Sequence, residues 1–349
     1  MMQINFFAEI NRLERLSKLG DPLEMIKEHI DFEMFRPILI ILLKIDEKIR
    51  SKGGRPRFDC ILMWKMILLQ QWYGISNDSL EYQINDRLSF QRFLGLGLND
   101  KVPDANTLWD FKEALAKNSG DKQLFYMFEK MMEEIGVITR TGSLVDASFV
   151  DAPRQRNNRE DNKTIKEGGI PEEWKEGTPE ANHKLSQKDT DAGWAKKNKE
   201  THYGYKDHVK VDNVSKMIVD FSVTDASVHD SKEIVGLIDE KDEIVYADSA
   251  YIGEKLEAEM REVNEKLEFK IIQRGTRNHP LSEEVKAENK EKSRIRVRVE
   301  HVFGNMTISM GGMFIRTIGR TRAQAEIARK NLAYNLRRYV WLASHPKIA

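Results

Sequence analysis

The apolar residues of the N-terminal part, residues 1 to about 140, have helical spacing throughout. Between Asp59 and Tyr73 large apolar side chains dominate and charges are few, which predicts a helix that is buried on most sides. Gly74 follows it, and glycine tolerates the left-handed conformation that ends many helices. The single cysteine, Cys60, lies in this apolar run, so we expect it to be a buried side chain and exclude an internal disulfide or a cysteine-based zinc site.

Further helix boundaries follow from capping residues. Asp21 before Pro22, Ser76, and Asp104 after Pro103 are typical helix starts. Gly95 is read as a helix-ending turn, since the Gly-Leu-Gly sequence there lacks the third glycine and the preceding strand of a nucleotide loop. Short helices joined by tight turns suit a helix-turn-helix-like DNA reader or a packing and dimerisation bundle, and the sequence leaves both open.

The pattern changes at Thr141, where segments that favour strands begin. The predicted strands and helices, in chain order, are strand 142–150, strand 203–211, strand 217–223, helix 230–239, strand 243–248, helix 253–266, strand 269–272 and helical residues 282–343. The second and third strands are close enough for an antiparallel hairpin that turns near Asp212. Three strands ahead of a β-α-β unit, with closing helices, is the order of an RNase H-like fold, an α/β architecture with a mixed sheet.

These patterns predict two domains. Residues 1–140 form an all-helical N-terminal domain for DNA binding or dimerisation, and residues 141–349 form the α/β domain. Residues 153–201 are polar with mixed charges, apart from Trp174 and Trp194. We expect them to be a long surface excursion between the first two strands, partly disordered.

The charge of the chain is neutral in total and uneven along its length. Lys plus Arg and Asp plus Glu both number 56, so the total gives no indication of a nucleic-acid partner. Between residues 316 and 338, however, only Glu326 opposes seven basic residues, namely Arg316, Arg320, Arg322, Arg329, Lys330, Arg337 and Arg338. The start of the chain has no secretory signal and no window is apolar enough for a membrane span, so we expect a soluble, cytoplasmic protein.

Three carboxylates are candidates for chemistry. Asp146 and Asp248 each follow a short apolar run and are expected at the polar ends of strands, where ligand sites of open sheets form. Glu300 lies four residues after Arg296 on one face of a predicted helix. Oxygen donors without cysteine suit a hard cation such as Mg²⁺ or Mn²⁺, and two such ions about 4 Å apart can clamp a phosphodiester displacement. Arg296 could orient Glu300 or contact the scissile phosphate.

Several longer motifs together resemble the DDE transposases of bacterial insertion sequences, with an InsH-like N-terminal helical domain. The motifs that carry the resemblance are Gly54–Asp59, Leu80–Gly95, Val102–Trp109, Val145–Ser148, Tyr203–Val211, Val223–Ser231, Ala247–Tyr251 and Arg296 with Glu300. The resemblance covers nearly the whole chain. It implies an RNase H-like catalytic domain with the metal ligands Asp146, Asp248 and Glu300. It also implies a Mg²⁺ requirement, binding to terminal inverted repeats, strand cleavage at element ends, strand transfer into target DNA, and a homodimer on DNA.

The chain departs from a related group of transposases near the last carboxylate. That group has tyrosine and lysine where this chain has Ser293 and Thr307, which puts in doubt the end-binding role of those two positions. Only 52 positions separate Asp248 from Glu300, which leaves little room for the insertion domain that some relatives carry there.

Basic residues suggest where DNA could bind. Arg50, Lys52, Arg55 and Arg57 flank two glycines and a proline, as in a flexible arm that follows phosphates, although a solvated linker explains them equally well. A second basic cluster lies on the helix that leads to Glu300, and an anionic substrate accounts for such a cluster beside a catalytic acid. Its members are Lys290, Lys292, Arg294, Arg296 and Arg298.

Other readings remain open at this point. His229 and Asp230 could assist the site, but a helix N-cap at Asp230 is the preferred interpretation. The whole chain could instead be an RNase H-like nuclease that needs no end sequence, a transposase-derived DNA-binding protein without catalysis, or a helical scaffold protein. The intact carboxylates argue against the last two, and the helical N-terminal part argues against a simple nuclease.

Overall fold

A computed structural model describes residues 8–45, 57–153, 157–175, 187–197, 199–275 and 280–346. The chain divides into two compact units, Met1–Leu124 with Leu332–Ala349, and Phe125–Asn331. The predicted domain boundary at residue 140 stays a prediction. No helix in the described ranges is long and apolar enough to cross a membrane.

The first unit is helical, as predicted. Its helices are α1 (Ala8–Lys18), α2 (Pro22–His29), α3 (Arg36–Leu42), α4 (Cys60–Tyr73), α5 (Asn77–Asp86), α6 (Leu88–Leu94), α7 (Ala105–Lys117) and the start of α8 (Gly120–Glu134). The second part of α13 (Arg320–Ser344) completes it. Three caps are confirmed, since the side chains of Asp21, Ser76 and Asp104 accept from backbone N–H groups of the helices that follow.

Helix α4 is the centre of the first unit, as its sequence predicts. Asp59 caps it, and Gly74 ends it with a left-handed φ of 62°. Cys60 is buried, and the indole of Trp72 donates to the carbonyl of Ala333 at 2.8 Å. Gly95 ends α6 in the same left-handed conformation, which confirms the helix-ending turn. A DNA-reading role for these helices stays a prediction.

The second unit is built on a mixed sheet. Its strands are β1 (Ser143–Asp151), β2 (Gly193–Lys197), β3 (Glu200–Asp212), β4 (Ile218–Asp225), β5 (Ile244–Ala247) and β6 (Glu268–Ile271). The order is β2-β3-β1-β5-β6, with β4 also pairing with β3. The pairs of β3 with β1, β2 and β4 are antiparallel, whereas β5 pairs in parallel with β1 and with β6. This arrangement confirms the predicted hairpin, the β-α-β unit and a sheet compatible with the RNase H-like fold.

The excursion between β1 and β3 is more structured than its composition suggests. It contains helix α9 (Arg159–Lys166), a short 3₁₀ turn at Glu172–Trp174 and the additional strand β2. Its described residues therefore contain more regular structure than predicted, and disorder in part of the excursion stays a prediction. The physical reason is burial of a few side chains, since Trp174 and Asp189 are almost fully buried and Asp189 accepts from the hydroxyl of Tyr205.

Helices cover both faces of the sheet. Helix α10 (Ile234–Leu237) and helix α11 (Glu254–Val263) pack against one face, in an apolar cluster with Val145 and Val245. We call this the α11 face. Helix α12 (Glu283–Ser309) contacts β1 and β5, and its side of the sheet is called the α12 face. Because side chains alternate along a strand, Asp146 lies on the opposite face from Val145.

Candidate active site

Asp146 lies inside strand β1, not at its end. The strand continues through Asp151, with Asp146 opposite Val209 of β3. The prediction of a strand-end position is therefore wrong for this residue, because pairing with β3 extends β1 beyond the apolar run that is visible in the sequence. Strand β5, however, ends at Ala247, so Asp146 and the β1 residues that follow it have no β5 residue beside them.

Asp248 is the first residue after β5, as predicted. The parallel register pairs Leu144 with Tyr246, so Asp146 and Asp248 each lie two residues further along neighbouring strands. The backbone of Asp248 stays extended, with φ −74° and ψ 167°. Neighbouring strands lie about 4.8 Å apart and side chains recur with a period of two. The register therefore aligns the two aspartates side by side where β5 ends.

Helix α12 supplies the third carboxylate and the arginine. Nη1 of Arg296 donates to Oδ2 of Asp146 at 2.7 Å, and its Nη2 donates to Oε1 of Glu300 at 3.3 Å. The spacing of four residues puts Arg296 and Glu300 on one face of the helix. Val299 and Val302, both fully buried, anchor the opposite side of this turn. The guanidinium thus bridges the carboxylates of Asp146 and Glu300.

Burial governs the electrostatics of Asp146. Loss of water raises the pKa of its carboxyl group, and the negative charge of Glu300 acts in the same direction. The backbone N–H of Ala147, 2.8 Å from Oδ1, and the charge of Arg296 oppose the rise. A desolvated carboxylate of this kind is stabilised by a cation beside it.

Tyr251 also lies at this place; it belongs to the motif Ala247–Tyr251, but its local sequence pattern does not assign it to the site. It ends the 3₁₀ turn Ser249–Tyr251 and is 1% exposed. Burial raises the pKa of its phenol, and the charges of Asp146, Asp230 and Asp248 raise it further. In the sequence, only its position three residues after Asp248 links Tyr251 to the site.

The interpretation of Asp230 as a helix N-cap is wrong. The cap of the 3₁₀ turn Asp230–Lys232 is His229, whose Nδ1 accepts from the backbone of Ser231. Asp230 instead accepts from Nζ of Lys206 at 2.7 Å, and Lys206 also donates to the carbonyl of Val228. Lys206 comes from β3, 24 positions before Asp230, and an ion pair between residues so far apart in the sequence has no local sequence signal.

The predicted DNA-contact residues differ in their surroundings. Arg55 lies outside the described residues, and so do Arg50 and Lys52, whereas Arg57 and Arg294 are exposed. Nζ of Lys292 is 3.4 Å from the carbonyl of Ile271. Arg298 donates to the backbone and side-chain oxygens of Asn213 at 3.0 and 2.7 Å, so its guanidinium fastens α12 to the turn between β3 and β4.

The donor set fits a hard divalent cation, because three carboxylates provide only oxygen ligands. Asp146 is also partly buried, and this burial raises the pKa of its carboxyl group. As the side chains stand, however, no three acidic, histidine or cysteine side chains of the described ranges are grouped closely enough to hold an ion. Oxygens of two of the three carboxylates, Asp146 and Glu300, accept from Arg296 instead.

Family models match both parts of the chain. A "Transposase DDE domain" model matches residues 138–336, which include all three carboxylates and Arg296. A "Transposase domain (DUF772)" model matches residues 11–114 of the helical part. No solved structure matches the chain. The first model covers more than half of the sequence, and the chain therefore belongs to the DDE transposases, enzymes of metal-dependent phosphoryl transfer on DNA.

Proposed function

We propose that this protein binds the terminal inverted repeats of a mobile element, cleaves DNA strands at the element ends and joins them to target DNA. The catalytic residues in this proposal are Asp146, Asp248, Glu300 and Arg296. The observation that supports it is the junction of β1, β5 and α12, where the strand register aligns two aspartates and Arg296 bonds to Asp146 and Glu300.

The proposed metal ligands are Asp146, Asp248 and Glu300. Two Mg²⁺ or Mn²⁺ ions bound there would activate the attacking water or 3′-hydroxyl and stabilise the departing oxygen. Arg296 has two tasks in the proposal. Without the ions it offsets the charge of the desolvated Asp146 carboxylate, and with DNA bound its two N–H groups can turn to a phosphate, whose oxygens suit a planar donor pair.

The proposed DNA path runs along the exposed side of helix α12. Lys290 and Arg294 are exposed on it, and they lie within the two turns that precede Arg296. Cations on this side would attract the phosphates on either side of the scissile bond. Arg57, in the first unit, is proposed as a phosphate contact of the same kind. Arg298 is held by Asn213, so its proposed role is to fix the helix that carries Glu300.

Joining both ends of an element requires that two ends are held in one complex. We therefore propose a homodimer on DNA, with one catalytic unit acting at each end. This assembly is tested by measuring the mass of the protein with and without end DNA. A complex that stays at one protein chain per two DNA ends would contradict it.

The test of the activity is cleavage of end DNA in Mn²⁺ by the purified protein and by Glu300→Gln. Since a bound cation supplies several kcal/mol of transition-state stabilisation and 1.4 kcal/mol is tenfold in rate, we expect the variant to cut at least ~100-fold more slowly. The matched control is Glu259→Gln, which removes a carboxylate from a surface ion pair with Lys255 on α11. It should cut like the unchanged protein.

The substrate arms of this assay separate the remaining readings. Cleavage of end DNA, but not of random duplex or RNA·DNA hybrid, supports the transposase. Equal cleavage of all three would show an RNase H-like nuclease instead. Salt-sensitive DNA binding without any cutting, under conditions in which an active relative cuts, would show a DNA-binding protein that has lost catalysis.

A further inference from the structure

Tyr251 is buried at the point where the two aspartate-bearing strands meet. Its ring belongs to the apolar cluster on the α11 face, with Val145 of β1 and Ala247 of β5 as members of the same cluster. These two residues directly precede Asp146 and Asp248 in the chain. The body of Tyr251 therefore packs against the strand segments that position the catalytic aspartates.

The hydroxyl of Tyr251 has no hydrogen-bond partner within the described ranges, although it is buried. An unsatisfied buried hydroxyl is unfavourable, whereas a phenylalanine of the same shape would avoid that penalty. Packing alone therefore does not explain a tyrosine at this position. A phenol is protonated at neutral pH, since its ordinary pKa is about 10, and an ionised carboxylate offers only acceptor atoms, so the hydroxyl would act as a donor towards a carboxylate.

Carboxylates lie near this phenol, since the charges of Asp146, Asp230 and Asp248 all raise its pKa. Asp230 is engaged by Lys206. The turn that contains Asp230 packs against the turn that contains Tyr251. Oδ1 of Asp248 accepts from the backbone N–H of Ser249 at 2.5 Å, whereas no hydrogen bond to Oδ2 of Asp248 is seen in the described part of the chain.

We propose that Tyr251 is a positioning residue for strand cleavage and transfer, whose hydroxyl donates a hydrogen bond to the Asp146–Asp248 carboxylate pair when the site is loaded. The bond forms directly or through one water molecule. It fixes the rotation of the carboxylates, so that their oxygens point at the ions and the scissile phosphate. The proposal rests on the function proposed above.

The test compares Tyr251→Phe with the unchanged protein in three measurements: thermal stability without metal, Mn²⁺ affinity by electron paramagnetic resonance titration, and cleavage rate of end DNA. Loss of a hydrogen bond to a metal-ligating side chain typically lowers metal affinity or activity by about 10- to 100-fold. We expect a loss of this size in Mn²⁺ affinity and cleavage rate. The melting temperature should stay equal or rise, because the hydroxyl is unsatisfied without metal.

The matched control is Tyr203→Phe, another buried tyrosine of the second unit. Its hydroxyl donates to the carbonyl of Asp189 and accepts from Asn157 at 2.8 Å. This control should lower the melting temperature and leave Mn²⁺ affinity and cleavage per folded molecule unchanged. The two variants thus separate a structural hydroxyl from a positioning one.

Two results would overturn the positioning role. One is a Tyr251→Phe protein with unchanged Mn²⁺ affinity and cleavage, and the other is a Tyr251→Phe protein that melts as early as the control. Failure of the proposed function looks different, since then the unchanged protein itself does not cut end DNA. Mn²⁺ affinity still tests Tyr251 in that case, with Asp248→Asn as the variant that should lose binding at the same site.

Discussion

Asp207 of β3 carries a pH dependence of stability that can be worked out from its surroundings. It is fully buried, and its Oδ1 accepts from Nδ2 of Asn331 in α13 at 3.2 Å. Its Oδ2 and the Oδ1 of Asn331 are both buried without a partner in the described part of the chain. A proton on Oδ2 of Asp207 would let the acid donate to that Asn331 oxygen. The two orphan atoms therefore indicate a neutral acid–amide pair.

The magnitude follows from the pKa of Asp207. Burial raises it from 3.8 to about 7, against the opposing effects of the Asn331 bond and the charge of Lys330. Folding thus strengthens proton binding, so the stabilisation is present in full below about pH 4 and is lost as the pH rises to about 7. Roughly three pKa units at 1.36 kcal/mol each give about 4 kcal/mol.

The perturbation is Asp207→Asn, which keeps the shape and cannot ionise. We expect the free energy of unfolding of the variant to exceed that of the unchanged protein at pH 7.5 by up to about 4 kcal/mol, and the difference to vanish near pH 4. The assay is urea unfolding at half-unit steps from pH 4 to 7.5. It stops there because burial lowers the pKa of Lys330 to about 8, so this lysine titrates at higher pH.

The difference in unfolding free energy between the variant and the unchanged protein, not the pH slope of one protein, tests whether Asp207 is neutral. Burial lowers the pKa of His208 to about 4, so its contribution is lost as the pH falls from 6.5 and opposes that of Asp207. Subtraction at each pH removes it. Glu262→Gln, an exposed carboxylate on α11, is the control and should show no such difference. A gap between Asp207→Asn and the unchanged protein that does not widen with pH would refute a neutral Asp207.

Two further predictions concern the site and the sheet. Arg296→Gln should raise Mn²⁺ affinity in the absence of DNA by about tenfold, or 1.4 kcal/mol, because the guanidinium competes with the ion for oxygens of Asp146 and Glu300. The same variant should cut end DNA more slowly, because it lacks the proposed phosphate contact. Lys286→Gln, which removes a cation from a surface ion pair with Glu283 on the same helix, is its control in the Mn²⁺ titration, and weaker binding by Arg296→Gln would contradict the competition. Gly204→Ala should destabilise the protein by about 3 kcal/mol or more in urea unfolding, because its Cβ would lie 2.2 Å from the carbonyl oxygen of Val150. Gly304→Ala, with no atom within 4 Å of its Cβ, should be neutral or stabilising by up to about 1 kcal/mol, and equal effects of the two substitutions would show that the close approach at Gly204 is absent.

The parts of the fold that the sequence predicts are those with a local signal. The caps at Asp21 and Ser76 and the glycine that ends α4 each depend on residues within one helical turn. The β-α-β unit from β5 to β6 is predictable for the same reason, since period-two and helical spacing alternate there. The strand β2 is not predictable, because its residues, Gly193–Lys197, are partly polar and exposed and are ordered by pairing with β3.

The residues of the candidate site likewise include some with a local sequence signal and some without one. Asp146, Asp248, Arg296 and Glu300 can be proposed from sequence because each follows a strand-like run or shares a helix face, and their catalytic roles stay a prediction. The roles of Tyr251 and Asp207 cannot be predicted from sequence, because they depend on burial by elements that are distant in the chain. An aspartate in an alternating strand has the same local sequence pattern whether its side chain faces water or Asn331 of α13. Both carry buried polar atoms that have no partner among the described residues, at a cost that an apolar side chain would avoid. For Asp207 a proton can complete the pair within the unit itself, whereas for Tyr251 the acceptors are the carboxylates of the site. This difference explains why we expect the first to govern stability and the second to govern the reaction.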